Sequence, residues 1–194
     1  MAGRRAGAGL VLAAVGLTAA GCLGGATKTV TVTHSAGTVT ITTTVTTTAS
    51  VSSAKPCQGT QLAGTFAEIP HSSGAGQIAY ALAVKNTSSS ACTLRGIPQG
   101  TLLGATGTPL PTHIKPAGSR GKLIVLPPGA SASAQARFSP DVAGQGDSQS
   151  GTCQPQAQTF QLAAAGGVTE APIKPPTSVC EQGTLNFSAF AYAG

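Results

Sequence analysis

The stretch QIAYALAVK, residues 77–85, carries the clearest strand pattern in the chain. Its larger side chains, Ile78, Tyr80, Leu82 and Val84, alternate with small or polar residues. Because successive side chains of a β-strand point to opposite faces, this alternation predicts a strand with one apolar face. We therefore expect residues 77–85 to form a core strand.

Short strand patterns recur on both sides of this stretch, separated by turns that contain Gly and Pro. The other predicted strands are 61–68, 101–104, 110–114, 121–126, 131–138, 158–164 and 184–192. No window of this part of the sequence carries a helical period closed by helix caps. We therefore predict one all-β domain over residues 57–194, an antiparallel immunoglobulin-like β-sandwich, with a small barrel as the nearest alternative.

Residues 1–21 have the features of a bacterial lipoprotein signal peptide. Arg4 and Arg5 supply the positive end, and an apolar run then leads to the small residues before Cys22. That run is well short of the roughly 20 residues that a membrane-spanning helix needs. We expect cleavage before Cys22 and lipidation of its thiol, which anchors the exported chain to the outer face of the cytoplasmic membrane. Ala19 departs from the branched aliphatic residue usual in this signal, so an ordinary secretory leader is the alternative.

The chain has five cysteines, an odd number for an exported protein. Assigning Cys22 to the lipid leaves Cys57, Cys92, Cys153 and Cys180, which allow three pairings. We favour disulfides Cys57–Cys92 and Cys153–Cys180, because sequential pairing closes loops of modest size in an oxidising compartment. A metal site is not expected, since no two cysteines have the close spacing of zinc ligands.

Residues 22–56 form a linker rich in threonine, valine and serine, without any aromatic residue. Such a stretch buries too little apolar surface to offset the entropy lost on ordering, so we expect an extended stalk. The alternation in residues 29–33 and 38–42 also fits β-strands, which is the alternative. The threonine density would also suit O-glycosylation.

Several motifs of the predicted domain resemble those of a bacterial exported family. They are Leu82-Ala83-Val84-Lys85-Asn86-Thr87, Cys92-Thr93-Leu94-Arg95-Gly96-Ile97-Pro98 and Leu126-Pro127-Pro128-Gly129-Ala130-Ser131-Ala132, followed by a later cysteine pair. Their order is similar to that in the actinobacterial family called domain of unknown function 4232, although Ile97 replaces a usual aromatic residue. The resemblance implies a disulfide-bearing β-sandwich, often behind a lipoprotein leader, and supplies no catalytic residue.

No motif for catalysis, a metal or a cofactor stands out in the sequence. Residues 146–151, GDSQSG, resemble the nucleophile segment of a serine protease, but Gln149 follows Ser148 where glycine would shape the oxyanion hole. The histidines lack partners at metal-ligand spacing: His34, His71 and His113. The acidic residues show no spacing that indicates a calcium cage or a glycosidase: Glu68, Asp141, Asp147, Glu170 and Glu181. We expect no cofactor and no enzymatic activity, with a cryptic hydrolase as an alternative.

The chain is basic, with a formal net charge of +6. Lys115, Arg120 and Lys122 form its local basic cluster and are weak candidates for binding anionic polymers or lipids. No aromatic residue is interleaved with them, so we expect no nucleic-acid partner. We predict a cell-surface lipoprotein whose non-catalytic module binds an envelope polymer or protein. A purely structural envelope component is the alternative.

Overall fold

The computed structural model describes residues 54–193, together with the backbone of residues 26–34 and 37–45. The chain divides after Ser50 into two units, each of which has its own internal contacts. The expected signal peptide, residues 1–21, and the expected lipidation site, Cys22, lie outside the described residues. In the described part of the chain, no helix has the length and hydropathy of a membrane span.

The N-terminal unit contains two antiparallel strands, β1 (Ala26–His34) and β2 (Gly37–Val45). The register places Val30 opposite Ile41 and Thr31 opposite Thr40. β-Branched residues at a period of two favour extended backbone, which explains strand formation in a segment without aromatic residues. This hairpin corresponds to the strand alternative for the linker and differs from the unpaired stalk expected over residues 22–56.

The second unit is built from short strands and turns. In chain order its strands are β3 (Leu62–Glu68), β4 (Ile78–Asn86), β5 (Cys92–Arg95), β6 (Gly100–Leu103), β7 (His113–Pro116), β8 (Leu123–Leu126), β9 (Ser131–Phe138), β10 (Ala157–Ala164), β11 (Gly167–Thr177), β12 (Thr184–Phe187) and β13 (Ala191–Tyr192). A 3-10 turn (Gly59–Gln61) precedes β3, and a single helical turn (Cys180–Gly183) lies between β11 and β12. This content confirms the all-β class.

One large sheet contains most of these strands. Its hydrogen-bonded path runs β6-β10-β11-β3-β4-β9-β12-β7, with β13 also paired to β9. Most neighbours are antiparallel, but β11 pairs with β3, and β12 with β7, in parallel. β5 and β8 form a separate two-stranded ribbon.

The large sheet curls so that distant strands face one another. Phe160 of β10 and Phe187 of β12 have ring centroids 5.6 Å apart, although four strands lie between them along the path. Phe66 of β3 contacts both rings, with centroid distances of 5.6 Å and 5.8 Å. A single curled sheet is closer to the barrel alternative than to the two separately bonded sheets of the immunoglobulin-like sandwich predicted above.

The core combines aromatic rings with small side chains. Tyr80, Leu82 and Val84 of β4 are buried, as the alternation of residues 77–85 predicts. On the neighbouring strand β9 the buried positions are mostly alanines: Ala132, Ala134 and Ala136. Because a protein core is closely packed, the large rings fit where small neighbouring side chains leave room for them.

Some predicted strands differ from the observed ones. The strand expected over 110–114 is displaced to β7, and the one over 184–192 is divided into β12 and β13. Thr112 leaves the strand pattern because its hydroxyl accepts from the Leu102 N–H and donates to the Leu110 carbonyl. The sequence did not predict β5 or β11.

Both disulfides have the pairing that was favoured, Cys57–Cys92 and Cys153–Cys180. The first ties the segment before β3 to the start of β5, where the Cys57 N–H also donates to the Thr93 carbonyl. The second ties the loop after β9 to the turn Cys180–Gly183. Each bond therefore fixes a segment that lies outside the large sheet.

Candidate functional site

Two of the three predicted cations, Arg120 and Lys122, line one surface cleft of about 720 Å³. Arg95 lines the same cleft. This basic cleft is defined by the side chains of Arg95, Ile97, Gln99, Arg120, Lys122 and Leu123. Lys115 is not among its lining residues.

The β5–β8 ribbon joins two sides of the basic cleft. Its register places Arg95 directly opposite Leu123, and residues opposite one another in an antiparallel pair share a face. Leu123 is 41% exposed, whereas its neighbour Ile124 is buried. Alternation along the ribbon therefore turns Arg95 and Leu123 outward together.

Two glycines shape the turns at the rims of the basic cleft. Gly96 and Gly121 have φ angles of 79° and 73°, a left-handed conformation that glycine adopts without steric penalty. A Cβ at Gly121 would also clash with the Cβ of Ala189. The Phe190 N–H donates to the Gly96 carbonyl at 3.0 Å. The segment at Ala189 and Phe190 thus contacts both rims and fixes their relative position.

The basic cleft carries three cationic side chains and no acidic one. Arg95, Arg120 and Lys122 are exposed and so can meet a ligand from solvent. Guanidinium groups present planar forks that bind oxyanions through paired hydrogen bonds. The exposed Leu123 and the partly buried Ile97 add apolar surface beside the cations. The arrangement can therefore bind an anionic group that has an apolar neighbour.

Sequence reasoning did not nominate Arg95. It lies within the motif Cys92–Pro98, far from Arg120 and Lys122 along the chain. The register of β5 against β8 brings it to the same cleft, and β5 was not among the predicted strands. Recognising residues 92–95 as a strand paired with β8 would have revealed this third cation.

Lys115 lies in a second cleft, of about 420 Å³, together with His113 from the same strand, β7. Glu181 and Gln182 from the turn Cys180–Gly183 also line it. We refer to these four residues as the mixed-charge cleft, because a carboxylate accompanies the cation. The structure thus divides the predicted basic cluster between two clefts.

The side chain of Asp147 is hydrogen-bonded to the backbone of the turn Cys180–Gly183. Its buried carboxylate accepts hydrogen bonds from the backbone N–H groups of Gly144, Glu181 and Gln182 and from the side chain of Gln154. The Gln154 hydrogen bond is the main cause that lowers the pKa of Asp147 to about 2, and the three backbone hydrogen bonds add to it against the effect of burial.

The turn held by Asp147 contains an uncommon backbone conformation. Glu181 and Gln182 both have a φ angle of 54°, in a region that residues with a Cβ rarely adopt. The four hydrogen bonds that Asp147 accepts stabilise this backbone conformation of the turn. Because its oxygens already accept these hydrogen bonds, the carboxylate of Asp147 is poorly placed to bind a calcium ion.

Asp147 also lies beside the second disulfide. One potential metal-ligand atom from each of Asp147, Cys153 and Cys180 lies within 4.8 Å of the others. The two sulfur atoms are bonded to each other, so neither is the thiolate that a zinc ion binds. The geometry of this cluster therefore supports a structural role.

The other polar candidates are dispersed. Ser148 is exposed, and its hydroxyl donates to the Ser150 carbonyl at 2.7 Å. Ser148 is not among the residues that line the mixed-charge cleft, which brings His113 and Glu181 together. The remaining predicted residues lie on separate elements: His34 on β1, Glu68 on β3, His71 in the turn before β4 and Glu170 on β11.

Searches of curated proteins and of solved structures found no match to the chain. Residues 57–191 match the family described as Domain of unknown function (DUF4232). The matched region contains both disulfides and the basic cleft. Because the match spans well over half of the sequence, the chain belongs to the DUF4232 family.

Proposed function

We propose that the chain is a bacterial, actinobacterial-type exported lipoprotein whose all-β domain binds an anionic polymer or protein of the cell envelope without catalysis. The basic cleft is the observation that carries this proposal. Three cations from two separate segments converge there without an acidic neighbour. Cations gathered in a cleft attract anions more strongly than the same cations do when they are scattered over a surface.

The leader sequence supports the proposed location. Residues 1–21 follow the order of positive, apolar and small residues typical of a lipoprotein leader, and Cys22 comes next. A lipidated Cys22 would hold the chain at the outer face of the cytoplasmic membrane. Two disulfides in the domain also suit an oxidising compartment.

The exposure of the cations sets the expected strength of binding. Each exposed ion pair contributes about 0.2–1 kcal/mol, and charges are screened over about 8 Å at physiological salt. A single anionic group would therefore bind weakly, whereas a ligand that contacts all three cations gains from each. Binding should consequently weaken as salt is added.

As part of the proposal, we treat the facing halves of the curled sheet as the two layers of an immunoglobulin-like sandwich. Phe66, Phe160 and Phe187 would then form contacts between the layers. Two layers with strand directions within about 30° of each other would support this description in an experimental structure. A sheet closed continuously around the core would contradict it.

The binding proposal is tested with the purified mature chain and a purified anionic envelope polymer. The double variant Arg95→Gln/Arg120→Gln should bind about tenfold more weakly, because two ion pairs are lost. The control Lys85→Gln/Lys115→Gln removes two exposed cations outside the basic cleft and should change the affinity less than about twofold. Binding that ignores salt, or equal loss in both variants, would contradict the proposal.

The anchor is tested by mass spectrometry of the chain isolated from its native cells. The mature N-terminus should be Cys22 with acyl chains attached. An N-terminus at another residue, or a Cys22 without acyl chains, would overturn the proposed anchor. It would leave the binding proposal unaffected.

A further inference from the structure

We propose that the basic cleft recognises a phosphate ester that carries an alkyl chain. This inference rests on the proposed function and names the ligand chemistry within it. In a cell envelope, that chemistry occurs in phospholipids and at the lipid-linked ends of surface polymers.

The pair of arginines favours phosphate as the anionic group. Arg95 and Arg120 line the basic cleft from different segments, so a ligand that contacts both arginines needs acceptors for two guanidinium forks. A phosphate group presents acceptor oxygens in several directions, whereas the two oxygens of a carboxylate match a single fork.

The apolar surface of the basic cleft indicates that the ligand also contains hydrocarbon. The large apolar side chains exposed in the described residues are Leu123, Val142, Val168 and Tyr192, and of these Leu123 lines the basic cleft. Ile97, partly buried, lies in the same cleft. A purely ionic ligand would leave Leu123 exposed, whereas an alkyl chain beside the phosphate would cover it.

The size and rigidity of the basic cleft agree with this ligand. Its volume of about 720 Å³ exceeds the space that a lone phosphate fills and lies within the range of small-molecule sites. The close contact of Gly121 with Ala189, and the hydrogen bond from Phe190 to Gly96, fix its rims before a ligand arrives. Little ordering of the backbone is then required on binding.

The test is isothermal titration calorimetry of the mature chain with three soluble probes. They are dihexanoyl phosphatidic acid kept below its micelle concentration, glycerol 1-phosphate and inorganic phosphate. The short-chain lipid should bind at least about tenfold more tightly than glycerol 1-phosphate, because its alkyl chains cover Leu123. Equal affinities, or no binding of the lipid, would overturn the inference.

Two variants separate the contribution of the cations from that of the apolar surface. Leu123→Asn should reduce lipid affinity toward that of glycerol 1-phosphate without changing the affinity for glycerol 1-phosphate itself. Arg120→Gln should weaken both ligands by roughly fivefold. The matched controls are Val168→Asn, an exposed apolar residue outside the cleft, and Lys115→Gln, and both should bind like wild type. A control variant that loses as much affinity as its partner would contradict the assignment.

Folding is checked by thermal unfolding of each variant. Arg120 and Leu123 are exposed, so the variants should melt near the wild-type temperature. If Leu123→Asn melts early, Leu123→Thr provides a second test, because threonine suits a strand. Unchanged lipid affinity in a folded Leu123 variant would overturn the apolar part of the inference.

Deacylated polymer separates this inference from the proposed function. If the phospholipid binds but envelope polymer does not, the inference stands, the ligand is a phospholipid and the polymer proposal fails. If intact polymer binds and alkali removal of its acyl chains weakens binding at least about tenfold, both proposals stand. If intact and deacylated polymer bind equally and the short-chain lipid does not compete, the proposed function stands and the inference fails.

Discussion

Asp147 shows how one buried carboxylate organises a segment that has no repeating pattern. The loop that carries it lies against the turn Cys180–Gly183, and a Cβ at Gly146 would clash with the Nε2 of Gln182. In sequence, the segment GDSQSG resembles the nucleophile segment of a serine protease, with Ser148 at the place of the nucleophile. In the structure the residue with several partners is instead the aspartate before it.

Replacing Asp147 with asparagine should lower the melting temperature and reduce the loss of stability in acid. The pKa of Asp147 is about 2 in the folded chain, against an ordinary value of 3.8. The folded state therefore binds this proton less readily than the unfolded state. Its contribution is present above pH 3.8 and is lost as the pH falls toward 2. Urea unfolding of both proteins across this range measures the difference.

Asp141→Asn is the matched control for this prediction. Asp141 is an exposed carboxylate near the start of the same loop, so its loss removes the same charge without disturbing the turn. It should unfold like wild type. An acid dependence that is unchanged in Asp147→Asn, or equally reduced in Asp141→Asn, would contradict the structural role of Asp147.

Asn86 fixes the junction between β4 and β8. Its side chain, fully buried, donates to the carbonyls of Ser90 and Leu126 and accepts from the N–H and hydroxyl of Ser88. Replacing it with alanine removes these hydrogen bonds, including the buried one to the Leu126 carbonyl, and should destabilise the fold by about 2 kcal/mol in urea unfolding.

Asn186→Ala provides the comparison for Asn86→Ala. Asn186 makes one longer hydrogen bond, 3.3 Å to the Arg137 carbonyl, at a more exposed position. Its loss should change the free energy of unfolding by less than about 0.5 kcal/mol. Equal effects of the two substitutions would show that the Asn86 network contributes little.

At the scale of elements, strands with a clear period of two could be predicted from the sequence. β9 has the predicted bounds, Ser131–Phe138, because its residues alternate and turns bound both ends. β11 could not be predicted, because Pro172, Pro175 and Pro176 argue against a strand. The structure accommodates them because β11 pairs with β3 at only two positions, Ile173 and Lys174, so no proline is required to donate an N–H to that strand.

The sequence predicts part of the candidate site, and whether a residue can be predicted again depends on how clear the local sequence pattern is. Arg120 and Lys122 are close in sequence, so their cluster is visible without a structure. Arg95 joins them through the pairing of two four-residue strands, and strands of that length carry too little alternation to reveal a register. Lys115 lies near Arg120 in sequence, yet β7 places it in another cleft.

The two disulfides should differ in their effect on the basic cleft. They join residues 35 and 27 positions apart, so removing either one should destabilise the fold by a similar amount, about 3–4 kcal/mol. Cys57–Cys92 holds the start of β5, which carries Arg95. At a temperature where both remain folded, Cys57→Ala/Cys92→Ala should bind anionic ligands more weakly than Cys153→Ala/Cys180→Ala. The reverse order in calorimetry would contradict this role of the first disulfide.

At the scale of the whole molecule, the chain combines an N-terminal hairpin unit with a disulfide-bonded all-β unit. The curled sheet packs its aromatic rings inside, and the β5–β8 ribbon, which is separate from that sheet, carries part of the basic cleft. The exposed side chains of the basic cleft thus lie outside the buried core. Surface substitutions in the cleft should therefore alter binding without unfolding the core.

The most direct measurement is an NMR titration of the mature, isotope-labelled chain with purified anionic envelope polymer. Amide shifts should change with added polymer at residues 95–99 and 120–123, and the changes should fade as salt increases. Shifts confined to the mixed-charge cleft around His113 and Glu181, or no shifts at saturating polymer, would contradict the account.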